Sequence, residues 1–508
     1  MKTFFKTVAT VTLFSVCEKF LGFTYRIYLS RAIGAEGIGI YQVALSVFAL
    51  LLTVCCSGTP ITVSRLMTKY KAEGDLKRRN EVISAGLFSA LAFSLPVCVL
   101  FFIFKNRLGI IFSDLRCVAV FLAVLPGLVF NSLYSVLRGV FWGDKDFLPY
   151  SVIELLEEIC MIIAGVLIIS RADSVADGAN GAGFAVLISY LFSFSVATIA
   201  FFMRKNRLTN PFPELKPLLA SATPVTAMRT TNSLAISLVS FILPARLISA
   251  GYTSSQAMSL FGAAAGQAIP ILFIPTTLIG SFALVLVPEI SESYYKKNWA
   301  SLKTDTEKAV KFTAFLSCAT IPIFITNGEE IGILIFNSPS CGEYLAASSF
   351  LMLFMGLSSI TTSILNSIGL EKQTLLYYII SGTFMLACVI ILPKFLGIYA
   401  LLAGFSFVYV LTTILNFLLL KKHCPLKLKY KRFIAYSAAF TLPTVLLGLM
   451  LDKLLLPVLG TFTTFLLCAA VQTAFISALF FGFGLVDVAF VKEKFKLKKN
   501  KKVARENA

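Results

Sequence analysis

Histidine occurs once in the 508 residues, at His423, tryptophan occurs twice, and 26 acidic side chains stand against 45 basic ones. One histidine leaves no histidine cluster to build a metal centre, because such sites need grouped ligands. The 11 cysteines contain no CxxC pair, and most lie inside apolar stretches, among them Cys17, Cys55, Cys56, Cys98, Cys160, Cys318, Cys388 and Cys468. An odd and scattered set of this kind argues against a disulfide framework or a zinc site and suits small apolar packing residues. No glycine-rich phosphate-cradling loop is present either, so the chain is not expected to bind a nucleotide or to be driven by ATP. The sequence therefore predicts no metal and no cofactor.

Charge as a whole is also scarce. Charged residues make up 14% of the chain and apolar ones 57%, with a mean hydropathy of +0.84. A soluble fold could not cover that much apolar surface. The net charge of +19 does not indicate nucleic acid, because the basic residues sit in short clusters between apolar runs. That is the pattern of cytoplasmic loops facing anionic lipid.

A helix needs roughly 20 apolar residues to cross the hydrocarbon core. Such runs lie near 8–30, 38–58, 80–104, 117–141, 150–170, 181–203, 218–245, 256–288, 306–326, 344–368, 374–393, 396–420, 433–451 and 457–485, which predicts an all-α integral membrane protein of about 14 transmembrane helices. Lys2 and Lys6 before the first run resemble the start of a signal peptide. Glu18 and Lys19 interrupt that run, however, and no small-residue cleavage site follows, so it is expected to be the first transmembrane helix. With a cytoplasmic N-terminus, the inside loops collect Arg65, Lys69, Lys71, Lys77, Arg78 and Arg79, then Arg204, Lys205, Arg207 and Lys216. They go on to collect Lys296, Lys297, Lys303, Lys308 and Lys311, then Lys421, Lys422, Lys427, Lys429, Lys431 and Arg432, and finally the basic tail 486–508. Both termini are expected in the cytoplasm.

A weak internal repeat accompanies this layout. Ser135-Val-Leu-Arg-Gly139 closes the fourth run as Ser363-Ile-Leu-Asn-Ser367 closes the tenth, and Arg31 after the first has a counterpart in Arg246 after the seventh. The expected organisation is an N-terminal six-helix lobe over 1–210, a pseudo-symmetric six-helix lobe over 215–420, and an additional helix pair over 433–485. Duplicated halves around a midplane site are a common construction of alternating-access transporters.

Charges inside the apolar runs are the candidate functional residues, since each costs at least about 2.5 kcal/mol at mid-bilayer. They are Glu18, Lys19 and Arg26 in the first run, Arg138 at the end of the fourth, Glu154, Glu157 and Glu158 in the fifth, and Arg229 in the seventh. Lys19 and Arg26 are seven apart and share a helical face, as do Glu154 and Glu158. Cations in this setting suit a cavity that receives an anionic head group, arginine above all, because its planar fork matches phosphate oxygens. The carboxylates suit either ion pairs with those arginines or a coupling ion. Structural ion pairs and residues snorkelling to an interface would produce the same pattern. Pro126, Pro224, Pro244, Pro270 and Pro275 interrupt apolar runs, and Pro270 and Pro275, flanked by Gly266 and Gly280, make the eighth run the expected discontinuous helix.

Several segments carry a resemblance to a known family. Gly22-Phe-Thr-Tyr-Arg26 followed by Arg31-Ala-Ile-Gly-Ala-Glu-Gly-Ile-Gly-Ile-Tyr41 resembles the opening of the multidrug/oligosaccharidyl-lipid/polysaccharide (MOP) flippase superfamily, and Gly58-Thr-Pro-Ile-Thr-Val-Ser-Arg65 resembles the motif ending its second helix. Ser135-Val-Leu-Arg-Gly-Val-Phe-Trp-Gly143, Pro149, Glu154-Leu-Leu-Glu-Glu158 and Val287-Pro-Glu-Ile-Ser-Glu292 are similar to the stage V sporulation protein B branch. The resemblance implies two lobes around a central cavity, with the last two helices packed beside them. It also implies a relation to MurJ-type lipid II flippases, whose cavity cations correspond here to Lys19, Arg26, Arg31 and Arg65 or lie within one residue of them. This chain departs from that pattern between Gln256 and Pro288, which holds no arginine or lysine, leaving Arg229 or Arg246 as the substitute.

The reading that follows is a flippase for an undecaprenyl-diphosphate-linked saccharide precursor, plausibly that of peptidoglycan or spore cortex, working by alternating access. Its expected partners are that lipid-linked oligosaccharide, membrane lipid and cell-wall synthases. The competing transporter readings are a MATE-like drug/cation antiporter of the same superfamily and an exporter of another lipid-linked polysaccharide repeat unit. A membrane glycosyltransferase is disfavoured by the short outside loops, the largest of which, near 327–343, offers Glu329, Glu330 and Glu343.

Overall fold

The computed structural model describes residues 2–424 and 430–483. The tail 486–508, with Lys427 and Lys429, lies outside the described residues. Among those described there is no strand, and the elements run α1 (Lys2–Cys56), α2 (Thr59–Ala72), α3 (Leu76–Ile103), a 3-10 turn (Lys105–Ile110), α4 (Arg116–Val124), α5 (Gly127–Gly143), α6 (Phe147–Ile169), α7 (Val175–Met203), α8 (Phe212–Ser249) and α9 (Ser254–Phe261). A π-helical segment (Gly262–Ala268) follows, then α10 (Ile269–Tyr295), α11 (Trp299–Thr326), α12 (Gly328–Phe336), α13 (Pro339–Ser348), α14 (Leu351–Ser367), α15 (Glu371–Ile391), α16 (Pro393–Leu396), α17 (Tyr399–His423), α18 (Tyr430–Leu459) and α19 (Thr461–Gly482).

Among the described residues eleven helices are long and apolar enough to cross a membrane, or 12 if the bent pair α13 and α14 is one span. The protein is a multi-pass membrane protein. The shortfall from the 14 apolar runs of the sequence has two sources. The stretch Leu13–Ala72 counts once although it holds 60 residues, and a straight helix of that length would reach about 90 Å, against a hydrocarbon thickness of about 30 Å. It is not straight, because Gly34 breaks α1 with φ 68° and ψ 179°, a conformation open essentially to glycine alone. The second source is α6, whose three glutamates, Glu154, Glu157 and Glu158, remove it from any count that tolerates only two charges.

The chain forms two compact units. The first is Met1–Gln267 with Leu392–Ile398, and the second is Ala268–Ile391 with Tyr399–Ala508. In the first unit Val63 and Met67 of α2, Ile83 of α3, Leu137 and Phe141 of α5 and Phe201 of α7 are almost fully buried in one apolar core. Helix α1 approaches α9 and the π-helical segment backbone to backbone. A Cβ at Gly39 would collide with the Met258 carbonyl and one at Gly262 with the Ala35 carbonyl, so only hydrogen fits at either position.

In the second unit polar side chains tie the helices together. Asn416 of α17 donates to the Thr361 and Thr362 hydroxyls of α14, at 3.1 and 2.9 Å. The final helix pair is fastened by Gln472 of α19, whose amide donates to Thr326 at the end of α11 (3.0 Å) and to the Thr444 carbonyl of α18 (3.3 Å). An amide buried in hydrocarbon must be paired in this way, since no water is available to replace the bond.

The sequence repeat falls on matching structural features. Ser135–Gly139 lies near the end of α5, after a break at Leu125–Pro126, and Ser363–Ser367 ends α14, after a 59° bend from α13. Arg31 and Arg246 each precede a glycine of positive φ, Gly34 (68°) and Gly251 (105°).

A Cβ at Gly34 would meet no atom within 4 Å, so replacing it tests the backbone alone. Gly34→Ala is expected to lower stability by about 1–3 kcal/mol, read as a lower midpoint in thermal unfolding of the detergent-solubilised protein. An unchanged midpoint would show that α1 does not need this break.

Candidate functional site

The residues singled out in the sequence gather in the first unit, in three groups. The first is built on α1. Lys19 is exposed and Arg26, two turns further on, is half-buried. The Arg26 guanidinium donates through Nη1 to the Gly266 carbonyl at 2.8 Å, within the π-helical segment. A π turn shifts the hydrogen-bond ladder by one residue and leaves carbonyls poorly served, and the arginine meets one of them. The neighbouring Gln267 is fully buried, and its amide donates to the Ser30 hydroxyl of α1 at 2.6 Å, while its Oε1 has no partner. The eighth run is not the discontinuous helix expected from its prolines: Ser254–Gly280 is one continuous helical span, and its irregularity is the π-helical turn. It lies in the glycine- and alanine-rich stretch before Pro270 rather than at the prolines, which open and continue α10.

The second group joins α8 to α1 and α2. Arg65 of α2 donates to the Ser221 hydroxyl of α8, and Arg229 of α8 donates in return to the Ser57 carbonyl at 3.3 Å. Between them the Gly58 N–H donates to the Thr226 hydroxyl at 3.1 Å, and further along the seam Ser237 donates to the Ser46 carbonyl at 2.7 Å. On α8, Ser221 and Arg229 are eight residues apart, or about 12 Å along the axis. Both guanidiniums are exposed beyond the single bond each makes, as are Arg31 and Arg246.

Carboxylates form the third group, around Arg138 of α5. Glu154 of α6 accepts from Arg138 Nη1 at 3.1 Å, and the guanidinium carbon lies 5.2 Å from the centre of the Trp142 ring. Glu158, one turn beyond Glu154, presses on α1, where a Cβ at Gly22 would stand 2.9 Å from its Oε1. Glu157 turns toward the Ser193 hydroxyl of α7, and Glu18 of α1 feels both Glu154 and Arg138. The spacing along α6 thus sends its three acids to three different helices. Arg138 is an ion-paired residue here, and its Nε is buried without a partner.

A fourth cluster was not expected from the sequence. Arg116, at the start of α4, binds Glu36 just past the α1 break (2.7 Å) and Asp114 (2.7 Å), and Asp114 also accepts from the Ser254 hydroxyl at the start of α9 (2.6 Å). Glu36, the pair Asp114 and Arg116, and Ser254 come from three distant parts of the chain and lie in segments between apolar runs, where charge is unremarkable. Gln267 was missed as well, although it is the one amide in the apolar stretch 257–280 and could have been noticed on that ground. Among the described residues no group of three or more histidine, cysteine or acidic side chains could hold a metal ion.

Long apolar helices whose charged side chains are turned onto neighbouring helices and backbone carbonyls make a multi-pass integral membrane protein by architecture. The chain belongs to the polysaccharide biosynthesis protein family, whose profile matches residues 4–294. It is similar to stage V sporulation protein B of Bacillus subtilis (strain 168), at 22% identity over 446 residues, covering 85% of this chain and 86% of that one. It is also similar to the lipid II flippase MurJ of the same organism, at 23% identity over 504 residues, covering 90% and 89%. Among solved structures, the inward closed conformation of a lipid II flippase MurJ aligns with a TM-score of 0.74 at 15% identity, covering 94% of this chain and all of that one. An inward-facing multidrug resistance transporter of the MATE family in the MOP superfamily aligns at 0.64 and 16% identity, covering 83% and 96%. These likenesses establish the fold, and the MurJ and MATE proteins among them are named as a flippase and a transporter.

Two predictions follow from the ion pairs. Arg138 and Glu154 should show a coupling of about 0.5–3 kcal/mol in a double-mutant cycle of Arg138→Gln and Glu154→Gln, measured by unfolding. Additive losses would mean that Glu18, Glu157 or Glu158 replaces Glu154. Burial raises the Asp114 carboxyl, but its bonds from Arg116 and Ser254 outweigh this and hold it below the usual aspartate value. Such a group adds stability above its unfolded pKa and loses it as pH falls through the lower folded value. The wild type should therefore lose stability below about pH 4, and Asp114→Asn should lose less over the same range. Identical acid profiles would remove Asp114 from the account.

Proposed function

We propose that this chain is a flippase that moves an undecaprenyl-diphosphate-linked saccharide precursor across the cytoplasmic membrane by alternating access. The observation that carries the reading is the set of guanidiniums in membrane-depth helices of the first unit. Among the described residues Arg26, Arg65 and Arg229 are each held by one neutral oxygen and by no carboxylate, which leaves their charge available to an anion. A diphosphate carries its charge on a head group that hydrocarbon excludes, and arginine forks satisfy its oxygens with directed bonds. Arg31 and Arg246, exposed beside matching helix breaks, and Lys19 on the Arg26 face extend the cationic surface. The names of the similar MurJ and sporulation proteins support a lipid-linked precursor as the cargo, with peptidoglycan or spore cortex as its destination.

The same reading counts α1 as two crossings, split at Gly34, and α6 as one. With the bent pair taken as a single span, this gives the 14 crossings of the sequence analysis, arranged as lobes over 1–210 and 215–420 with the pair 433–485 beside them, both termini in the cytoplasm, and cell-wall synthases as partners. The acids around Arg138 favour a second reading. Of the carboxylates Glu18, Glu154, Glu157 and Glu158 only Glu154 pairs with an arginine, and an excess of intramembrane acid suits a drug/cation antiporter. In the flippase reading Glu154 holds Arg138 and the other acids carry the coupling ion.

The test is export of lipid II to the outer leaflet in a bacterium depleted of its own lipid II flippase and expressing this protein. The wild type should restore export, while Arg26→Ala and Arg229→Ala, at equal membrane levels, should reduce it at least tenfold. No export from well-inserted wild type would exclude lipid II, and efflux of organic cations in the same cells would favour the antiporter. Export that survives both substitutions would keep the function and reject these two residues.

A further inference from the structure

On α3, α5 and α7 the first unit carries an apolar groove of about 260 Å³ that contains none of the charged residues discussed above. Its walls are Leu87 and Leu91 of α3, Leu133 and Leu137 of α5, and Phe194 and Phe201 of α7. The only polar side chain in the lining, Thr198, spends its hydroxyl on the Phe194 carbonyl at 2.7 Å, so the surface it offers is a methyl group. Phe88, Leu91 and Phe202 are 40%, 40% and 53% exposed at the rim, and the groove opens outward from the helices rather than into the apolar core.

One end of the groove is closed by the segment after α7, residues 204–211, which contributes Leu208 to the lining. The segment is strapped to α3. The Thr209 N–H donates to the Ser84 hydroxyl at 2.8 Å, Arg79 donates to the Asn206 side-chain oxygen at 2.9 Å, and the Phe212 ring packs edge-on against Phe88 at 5.5 Å. Asn206 also donates to the Phe201 carbonyl at 3.2 Å, which ties the strap to the end of α7. Four cations stand in this region, and their states differ. Arg79 is paired with Asp144 at 3.1 Å and Arg204 with Asp146 at 2.7 Å. Lys205 and Arg207, the two that flank Asn206 and precede Leu208, are exposed and have no ion pair or side-chain hydrogen bond among the described residues. Lys205 holds a left-handed backbone, φ 55°, as the strap turns away from α7.

An outward-opening hydrocarbon groove that ends at two unneutralised cations matches a molecule with a hydrocarbon chain and a single anionic head. We propose that the groove is a binding site for an anionic glycerophospholipid of the surrounding bilayer, with an acyl chain between α3, α5 and α7 and its phosphate at Lys205 and Arg207. Charge complementarity selects anionic over zwitterionic lipid, because a zwitterionic head brings its own ammonium to the same two cations. The bilayer's own lipid is chosen over the polyprenyl cargo because the groove shares no residue with the arginine seam of α1, α2 and α8. The strap joins α3 to the end of α7, so a lipid seated there would brace those two helices against each other.

The full-length chain, purified in a neutral detergent, provides the test. Its thermal unfolding midpoint is measured with added phosphatidylglycerol and with phosphatidylcholine of the same acyl chains. Phosphatidylglycerol should raise the midpoint more. The variant combining Lys205→Gln with Arg207→Gln should unfold at the wild-type temperature without lipid and lose at least half of that difference. Thr198→Trp, which fills the groove, should lose the response to both lipids, and the amount of phosphatidylglycerol that co-purifies should fall in both variants. Equal shifts with the two lipids, or an undiminished response in the double variant, would overturn the proposal. Displacement of bound phosphatidylglycerol by polyprenyl phosphate at equal concentration would also overturn it, by assigning the groove to the cargo.

Discussion

A guanidinium inside the hydrocarbon layer has no water to turn to, and the first unit is arranged around where each one finds its partner. Arg26 reaches a carbonyl only because the segment Gly262–Ala268 is wound as a π helix and presents Gly266 toward α1. That approach in turn requires the bare backbones of Gly39 and Gly262, which let α1 and α9 come close enough for the bond to form. Arg138 solves the same problem with a carboxylate, Glu154, and with the face of Trp142. The difference matters for function. A charge neutralised by an acid is part of the scaffold, whereas one resting on a neutral oxygen keeps most of its attraction for an anion.

The remaining polar groups serve to hold helices in register at the two ends of this packing. At one end Asp144 gathers Lys71 and Arg79 while Asp146 takes Arg204. At the other, Arg116 bridges Glu36 and Asp114, and Ser254 completes the cluster. These clusters fix α1, α2, α3, α4, α5, α7 and α9 by bonds whose strength depends on salt and pH, unlike the apolar contacts in the middle. A protein that changes conformation while keeping its helices intact benefits from that division, since polar ends can exchange partners at lower cost than a packed core can be opened.

Much of this was legible in the sequence, because the bilayer imposes a length and a composition on every crossing helix. The apolar runs, the basic segments between them and the charges within them were all visible, and α6 is a helix where an apolar run was read. What could not be read was partnership. The sequence places Arg26 and Lys19 on one face, but nothing in it says that Arg26 meets a backbone carbonyl 240 positions away, since a carbonyl carries no residue identity. The pairing of Arg138 with Glu154 was one of two readings left open, and the geometry selects the ion pair. The Asp114, Arg116, Glu36 and Ser254 cluster was invisible for a further reason. Its members are ordinary loop residues that acquire meaning only when α4, α9 and the broken α1 meet.

The account rests on the claim that the arginines of α1, α2 and α8 form a site for a diphosphate on a lipid chain. The measurement that addresses it most directly is equilibrium binding of the purified wild-type chain to three ligands that share one polyprenyl tail and end in a saccharide diphosphate, a monophosphate or a hydroxyl. The account predicts that affinity falls in that order and that the diphosphate complex weakens steeply as salt is raised. Equal affinity for all three, or binding indifferent to salt, would show that the tail alone is recognised and would contradict the cationic site.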